Sequence, residues 1–130
     1  ISAEGERMWS IYVGSVLGNV GVGEDDTIYF GSGDRNIWAV SAHGITRWRY
    51  TTQMPVHASP LVTLSGIYVG DRTGIFYKFN LDGSVAWKYQ TGGEILGGSA
   101  MTRDGKIIFG SMDKFLYCLD STTGAPHWFV

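Results

Sequence analysis

Cysteine occurs once in this sequence and proline three times, and neither a run of positive charge nor a long apolar stretch occurs at all. A lone Cys118 excludes an intrachain disulfide and a cysteine-built zinc site. Its setting, Phe115-Leu116-Tyr117-Cys118-Leu119, is that of a small buried hydrophobe, not of a reactive thiol. Ten basic residues against twelve acidic ones leave a net charge of −2. That balance lacks the basic footprint of a nucleic-acid binder, so no nucleic acid is expected as a partner. No segment approaches the ~20 apolar residues that cross a bilayer as a helix, and no signal-peptide pattern is present. The sequence opens on Ile1 and not on Met, as expected of a processed product or a fragment.

What is present points to a folded chain: 44% apolar residues, 17% charged residues and 19 glycines in 130 residues. The informative feature is a repeat. Gly-x-x-x-Trp recurs as Gly5–Trp9, Gly44–Trp48, Gly83–Trp87 and Gly124–Trp128, with the tryptophans 39, 39 and 41 residues apart. Tyr29-Phe30-Gly31, Tyr68-Val69-Gly70 and Ile108-Phe109-Gly110 run in phase, and seven residues after each glycine comes Trp38, Tyr77 or Tyr117. Three markers sharing one period define repeating units.

Each unit reads as four short strands. In the second they are expected over 58–62, 67–69, 75–80 and 85–89, broken at Ser65-Gly66, Thr73-Gly74 and Asp82-Gly83, where glycine suits tight hairpins. No window of helical length shows a period of 3.6, so essentially no helix is expected. Ile75–Phe79 and Phe115–Leu119 are apolar at alternate positions on both faces, whereas a sheet with one wet face alternates with polar residues. Such sheets need cover on both sides. Short four-stranded sheets packed radially describe a β-propeller. The small residues Gly18-Asn19-Val20-Gly21, Ala58-Ser59-Pro60-Leu61 and Gly97-Gly98-Ser99-Ala100 place the first strand of each unit at the crowded axis. The fold class is therefore all-β: three blades over about 16–51, 56–91 and 95–130, with 6–13 as a spare outer strand, an incomplete propeller.

Leu119-Asp120-Ser121-Thr122-Thr123-Gly124-Ala125-Pro126-His127-Trp128 contains Asp-x-x-x-Gly-x-x-x-Trp, and the chain resembles the pyrroloquinoline-quinone-like (PQQ-like) repeat family. The first two units carry shortened forms ending in Gly44 and Gly83. The resemblance implies that Trp9, Trp48, Trp87 and Trp128, with Gly44, Gly83 and Gly124, are structural docking residues between blades. The family includes quinoprotein dehydrogenases, outer-membrane assembly lipoproteins and binding propellers, often periplasmic or secreted, so fold alone does not set function.

The chemistry of an enzyme is not apparent. The quinone enzymes of that family carry adjacent cysteines and a calcium site. Here there is one cysteine, and the axial positions carry Gly, Ala, Ser and Val with Asn19 as their only amide, too few oxygens for a hard cation. No cofactor, metal or catalytic residue is therefore expected. His57 stands where the other units have Leu17 and Leu96; with Asn19 it is the candidate for facing a ligand. Asp34 and Asp113, in Gly-Ser-x-Asp, are expected to accept backbone N–H bonds in turns, as are Asp82, Asp104 and Asp120; Arg72 and Lys114 read as solvated charges. The expected function is protein binding or assembly; the alternatives are a fragment of a quinoprotein dehydrogenase and a propeller for small ligands or carbohydrate. Three blades would expose an apolar face at each end, so the expected partner is either another copy or the remaining blades of a longer propeller, with another protein as a further partner. The final strand, ending at Trp128-Phe129-Val130, is short, and the spare strand of a second copy would complete it in a six-bladed ring.

Overall fold

Glycine-bearing turns at regular intervals fold the chain back on itself into twelve strands. The computed structural model describes residues 8–130. The strands are β1 (Gly21–Val22), β2 (Ile28–Gly31), β3 (Asn36–Val40), β4 (Thr46–Thr51), β5 (Leu61–Thr63), β6 (Gly66–Gly70), β7 (Ile75–Phe79), β8 (Val85–Gln90), β9 (Ser99–Met101), β10 (Lys106–Gly110), β11 (Leu116–Asp120) and β12 (Pro126–Phe129). Each successive four make one antiparallel sheet in sequence order, giving three sheets of four strands. The described residues contain no helix, hence none that could cross a membrane. The expected incomplete all-β propeller is present, with the first strand of the second unit starting three residues later than expected.

Local chemistry explains the turns. At Gly74 φ is +90°, and a Cβ there would stand 2.7 Å from the Gly93 carbonyl oxygen. Arg35 and Lys114 hold the same backbone conformation at the matching turns of the outer blades, with φ of +72° and +77°. Each pairing of a third with a fourth strand shifts register at one place, after Ala39, Lys78 and Cys118, the residues opposite Trp48, Trp87 and Trp128. A bulge turns a strand locally and re-aims its side chains, so all three blades aim their tryptophan with the same irregularity.

The core lies between sheets. Tyr29, Ile37 and Ala39 of blade 1 pack on Val56, Ile67, Val69, Tyr77 and Phe79 of blade 2, while Tyr68 and Phe76 pack on Ile95, Ile107, Phe109, Tyr117 and Leu119 of blade 3. A third cluster covers the free side of blade 1, where Trp9, Ile11 and Val13 lie on Phe30, Trp38 and Val40.

Two expectations need correction. Apolar faces were expected at both ends, but the segment 9–13 packs on the front of blade 1, so among the described residues the uncovered side is that of blade 3. The outer strand of the last blade is shorter than its counterparts, as expected, with four residues in β12 against six in β4 and in β8, and the spare strand of a second copy was expected to complete it. Instead β12 pairs along β11, and the backbones of Val130 and Leu116 exchange hydrogen bonds of 2.9 and 2.7 Å. The place a second copy's spare strand was expected to fill is taken. Residues 6 and 7 of that spare strand, and Gly5, lie outside the described residues; residues 8–13 pair with no strand.

Candidate functional site

The seams between blades concentrate the residues singled out in the sequence. The N–H of Trp48 donates to the Leu81 carbonyl at 3.0 Å, and a Cβ on Gly83 would stand 2.7 Å from its Cγ. Trp9 repeats the arrangement on Gly44, donating to Ala42 at 2.8 Å, and Trp87 repeats it on Gly124, donating to Ser121 at 3.1 Å. Only a residue without a side chain admits an indole this close. Trp128 has no such neighbour and is 42% exposed.

A second contact runs through the Gly31 and Gly70 marker. A Cβ on Gly31 would collide with the Val56 side chain, and one on Gly70 with that of Ile95. Val56 and Ile95 lead into the inner strand of the following blade, and each donates its N–H back across the seam at 3.0 Å, to the Ser32 and Asp71 carbonyls.

The residues after these glycines form a carboxylate-centred corner. In blade 3, Asp113 accepts the Tyr117 hydroxyl, the Phe115 N–H at 3.0 Å and the Gly92 N–H at 3.0 Å from the preceding blade's connection. Burial works against the charge, but these bonds prevail and hold the Asp113 carboxyl below the usual range; burial and the nearby carboxylate push Tyr117 up to about 12. In blade 1, Asp34 accepts from the Trp38 ring N–H and the Asn36 amide. Both carboxylates make the turn contacts expected of them.

Blade 2 reverses the order, reading Gly70-Asp71-Arg72-Thr73 where blade 1 reads Gly31-Ser32-Gly33-Asp34. Asp71 is wholly buried and accepts from the Thr73 N–H and hydroxyl, the Ile75 N–H and the Tyr77 hydroxyl at 2.9, 2.6, 3.1 and 2.9 Å. Sequence reasoning missed it because it sought the Ser-x-Asp order; the signal available was the constant spacing of seven residues from Gly31, Gly70 and Gly110 to Trp38, Tyr77 and Tyr117. Arg72 is not a free solvated charge: its Nε donates to Glu94 at 2.8 Å, bridging blades 2 and 3. That hydrogen bond, with weaker help from the charge of His57, draws the Glu94 carboxyl down.

The axial residues form a close-packed edge. A Cβ on Gly18 would stand 2.6 Å from the His57 carbonyl oxygen, and the Asn19 N–H donates to the Ser59 hydroxyl at 2.8 Å. The segments leading into β1 and β5 thus touch through backbone and small side chains. His57 is half-buried and Asn19 exposed, and neither lines the open groove of about 220 Å³ formed by Val22, Gly23, Glu24, Val62, Thr63 and Leu64. Cys118 is buried on β11 opposite Trp128. The residues do not fit a quinone with calcium: the acidic side chains described above bond within their own corners, to the Gly92 amide or to Arg72, and no three His, Cys, Asp or Glu among the described residues gather to hold a metal.

Comparison with known proteins places this geometry. The family model for outer membrane protein assembly factor BamB matches residues 1–128. The human protein described as beta-alanine-activating enzyme is 27% identical over 111 residues, 77% of this chain but 10% of that protein. BamB from Moraxella catarrhalis superposes with a TM-score of 0.77 at 22% identity, over 90% of this chain and 37% of its own. The quinohemoprotein alcohol dehydrogenase ADHIIG from Pseudomonas putida HK5 superposes with a TM-score of 0.79 at 20% identity, over 92% and 21%. The chain therefore spans well under half the length of each.

Proposed function

The chain belongs to the family described as outer membrane protein assembly factor BamB, and on that premise we propose that it is a non-catalytic propeller module for protein binding or assembly. One observation carries this reading. The carboxylates at the blade corners, Asp34, Asp71 and Asp113, each accept from an aromatic side chain and from turn amides of their own blade, so their chemistry is committed to holding strands. A catalytic carboxylate instead needs an oxygen directed at a substrate. The tryptophans, glycines and β-branched residues act in this reading as blade-to-blade packing. The partners are the remaining blades of a ring and, through the ring's surface, another protein.

The alternative, a piece of a quinoprotein dehydrogenase, draws on the likeness to the quinohemoprotein alcohol dehydrogenase. Isothermal titration of the purified chain with pyrroloquinoline quinone and calcium separates the two readings. No heat of binding and no dye-linked alcohol oxidation are expected. Micromolar quinone binding would overturn the non-catalytic reading.

A further inference from the structure

We infer that the groove between the turns of blades 1 and 2 is a docking site for a basic side chain, lysine or arginine, of a partner protein. The inference deepens the assembly reading and rests on it. The groove lies where the β1–β2 turn meets the β5–β6 turn. Beside the hollow of about 220 Å³, a second of about 200 Å³ shares Gly23, Glu24, Thr63 and Leu64 with it and adds Asp25, Tyr29 and Leu81. The lips are apolar, with Val22, Leu64 and Leu81 all exposed. The floor is bare at Gly23, where a Cβ would stand 3.3 Å from Asp25 Oδ1 and 3.4 Å from the Tyr29 ring.

Two observations set the chemistry of the occupant. The first is charge. Glu24, Asp25 and Asp26 follow one another at the rim, and among the described residues the cation paired with them is Arg47, 3.8 Å from Asp25. That pair is exposed and contributes little, so it leaves the carboxylates to a better-placed cation. The second is an unanswered hydroxyl. Thr27 is 1% exposed, and its Oγ1 has no hydrogen-bond partner. Thr27 immediately precedes β2 and stands two residues before Tyr29, hence on the same face, toward the groove. Its hydroxyl approaches Asp25 without completing a hydrogen bond; with the Thr27 amide it holds the Asp25 carboxyl below its usual range. A buried hydroxyl left unpaired is costly. An N–H donor seated between Thr27 and Asp25 serves both oxygens, and a positively charged donor serves them best.

Blade 2 shows that this corner of a blade accommodates an ammonium. Tyr29 lies opposite Ala39 in its sheet, whereas Tyr68, its counterpart, lies opposite Lys78. Lys78 is 7% exposed and holds its ammonium 5.6 Å from the centre of the Tyr68 ring. Its stem passes Gly66, where a Cβ would stand 3.1 Å from Lys78 Cε. Blade 1 has Thr27 in place of Gly66 and Ala39 in place of Lys78, so it offers acceptors and brings no lysine of its own. The exposed apolar lips suit the methylene stem of a basic side chain. They also give purchase to the residues flanking it, which a free amine lacks.

The test titrates the isotope-labelled chain, followed by NMR, with acetyl-Leu-Lys-Leu-amide, acetyl-Leu-Gln-Leu-amide and n-butylammonium. The lysine peptide should shift the amides of Glu24, Asp25, Thr27, Thr63 and Leu64 saturably, and the glutamine peptide should bind several-fold more weakly. Asp25→Asn keeps an acceptor for the Thr27 amide, and Thr27→Val keeps the side-chain volume. Each should weaken the lysine peptide several-fold, and the same spectra report that the variant is folded. Unchanged affinity in either variant would overturn the inference. So would equal binding of the two peptides to the parent chain, a comparison that stands even if a variant unfolds. Butylammonium binding as tightly as the lysine peptide would also overturn it, since the occupant would then be a small amine. An absence of shifts at these amides would strike the groove alone, because quinone titration decides the non-catalytic reading separately.

Discussion

The indole of Trp87 lies on the bare backbone of Gly124, so close that a Cβ on that glycine would stand 2.6 Å from its Cδ2. Its N–H ends on the Ser121 carbonyl, which also accepts the Tyr68 hydroxyl, each at 3.1 Å. One carbonyl of blade 3 thus holds two aromatic side chains of blade 2, and the two blades meet as a fitted pair.

Removing that indole should be costly. Trp87→Ala leaves a cavity beside Tyr68 and Phe76 and is expected to destabilise the chain by about 3–5 kcal/mol. Trp128→Ala, at a 42% exposed position, should cost less than about 1 kcal/mol in the same chain. Urea denaturation of the two variants measures the contrast, and equal losses would place Trp87 outside the seam.

Gly83→Ala should be nearly as damaging as a core truncation. The added methyl meets Trp48, and φ at this position is +92°, where an L side chain is strained. A loss of about 1–3 kcal/mol is expected from the strain alone. Gly110→Ala, with open space around it, should leave the melting temperature almost unchanged. Equal shifts in calorimetric melts of the two variants would contradict this geometry.

Asp71→Ala should lower stability by about 3 kcal/mol, because the Tyr77 hydroxyl and the Thr73 and Ile75 amides lose a charged acceptor in a buried site. Tyr77→Phe removes one of those bonds and should cost about 1–1.5 kcal/mol. The double variant should be less destabilised than the sum of the two, since both changes delete the same bond. Strict additivity in a double-mutant cycle would show that the Tyr77–Asp71 bond contributes nothing.

The Asp113–Tyr117 pair predicts a plateau in stability against pH. Asp113 is depressed in the folded state, so its contribution is present above the ordinary value of 3.8 and fades as pH falls below it. Tyr117 is raised from 10.0 to about 12, so its contribution is full below pH 10.0 and fades as pH climbs toward about 12. Tyr117→Phe should make the alkaline fall in the urea midpoint shallower, while Asp113→Asn should flatten part of the acid fall. An alkaline limb identical to the parent's would remove Tyr117 from this linkage.

Much of the fold was legible because a repeat writes the same contact several times. The period placed the hairpins, the absence of a 3.6 pattern excluded helices, and apolar residues on both faces of Ile75–Phe79 implied cover on two sides. The glycines marked places where another backbone or an indole comes near. The corner of blade 2 escaped this reading because Asp71 and Thr73 exchange the roles of Ser32 and Asp34. A carboxylate two residues away reaches an equivalent aromatic side chain, so the function of the position survives a change in its letters.

The sequence by itself determined three units, their strands and the aromatic residues between them, since spacing, turn propensity and side-chain alternation are properties of the local chain. Only the tertiary structure decided which faces are covered. Trp9 donates to a carbonyl 33 residues away at Ala42 and so closes one end, while Leu116 and Trp128, alike in pattern to their buried counterparts, stay open. It also turned Arg72 from a surface charge into a bridge to Glu94, 22 residues on. Whether an apolar or charged side chain finds a partner depends on where a distant segment comes to rest, and periodicity along the chain carries no record of that distance.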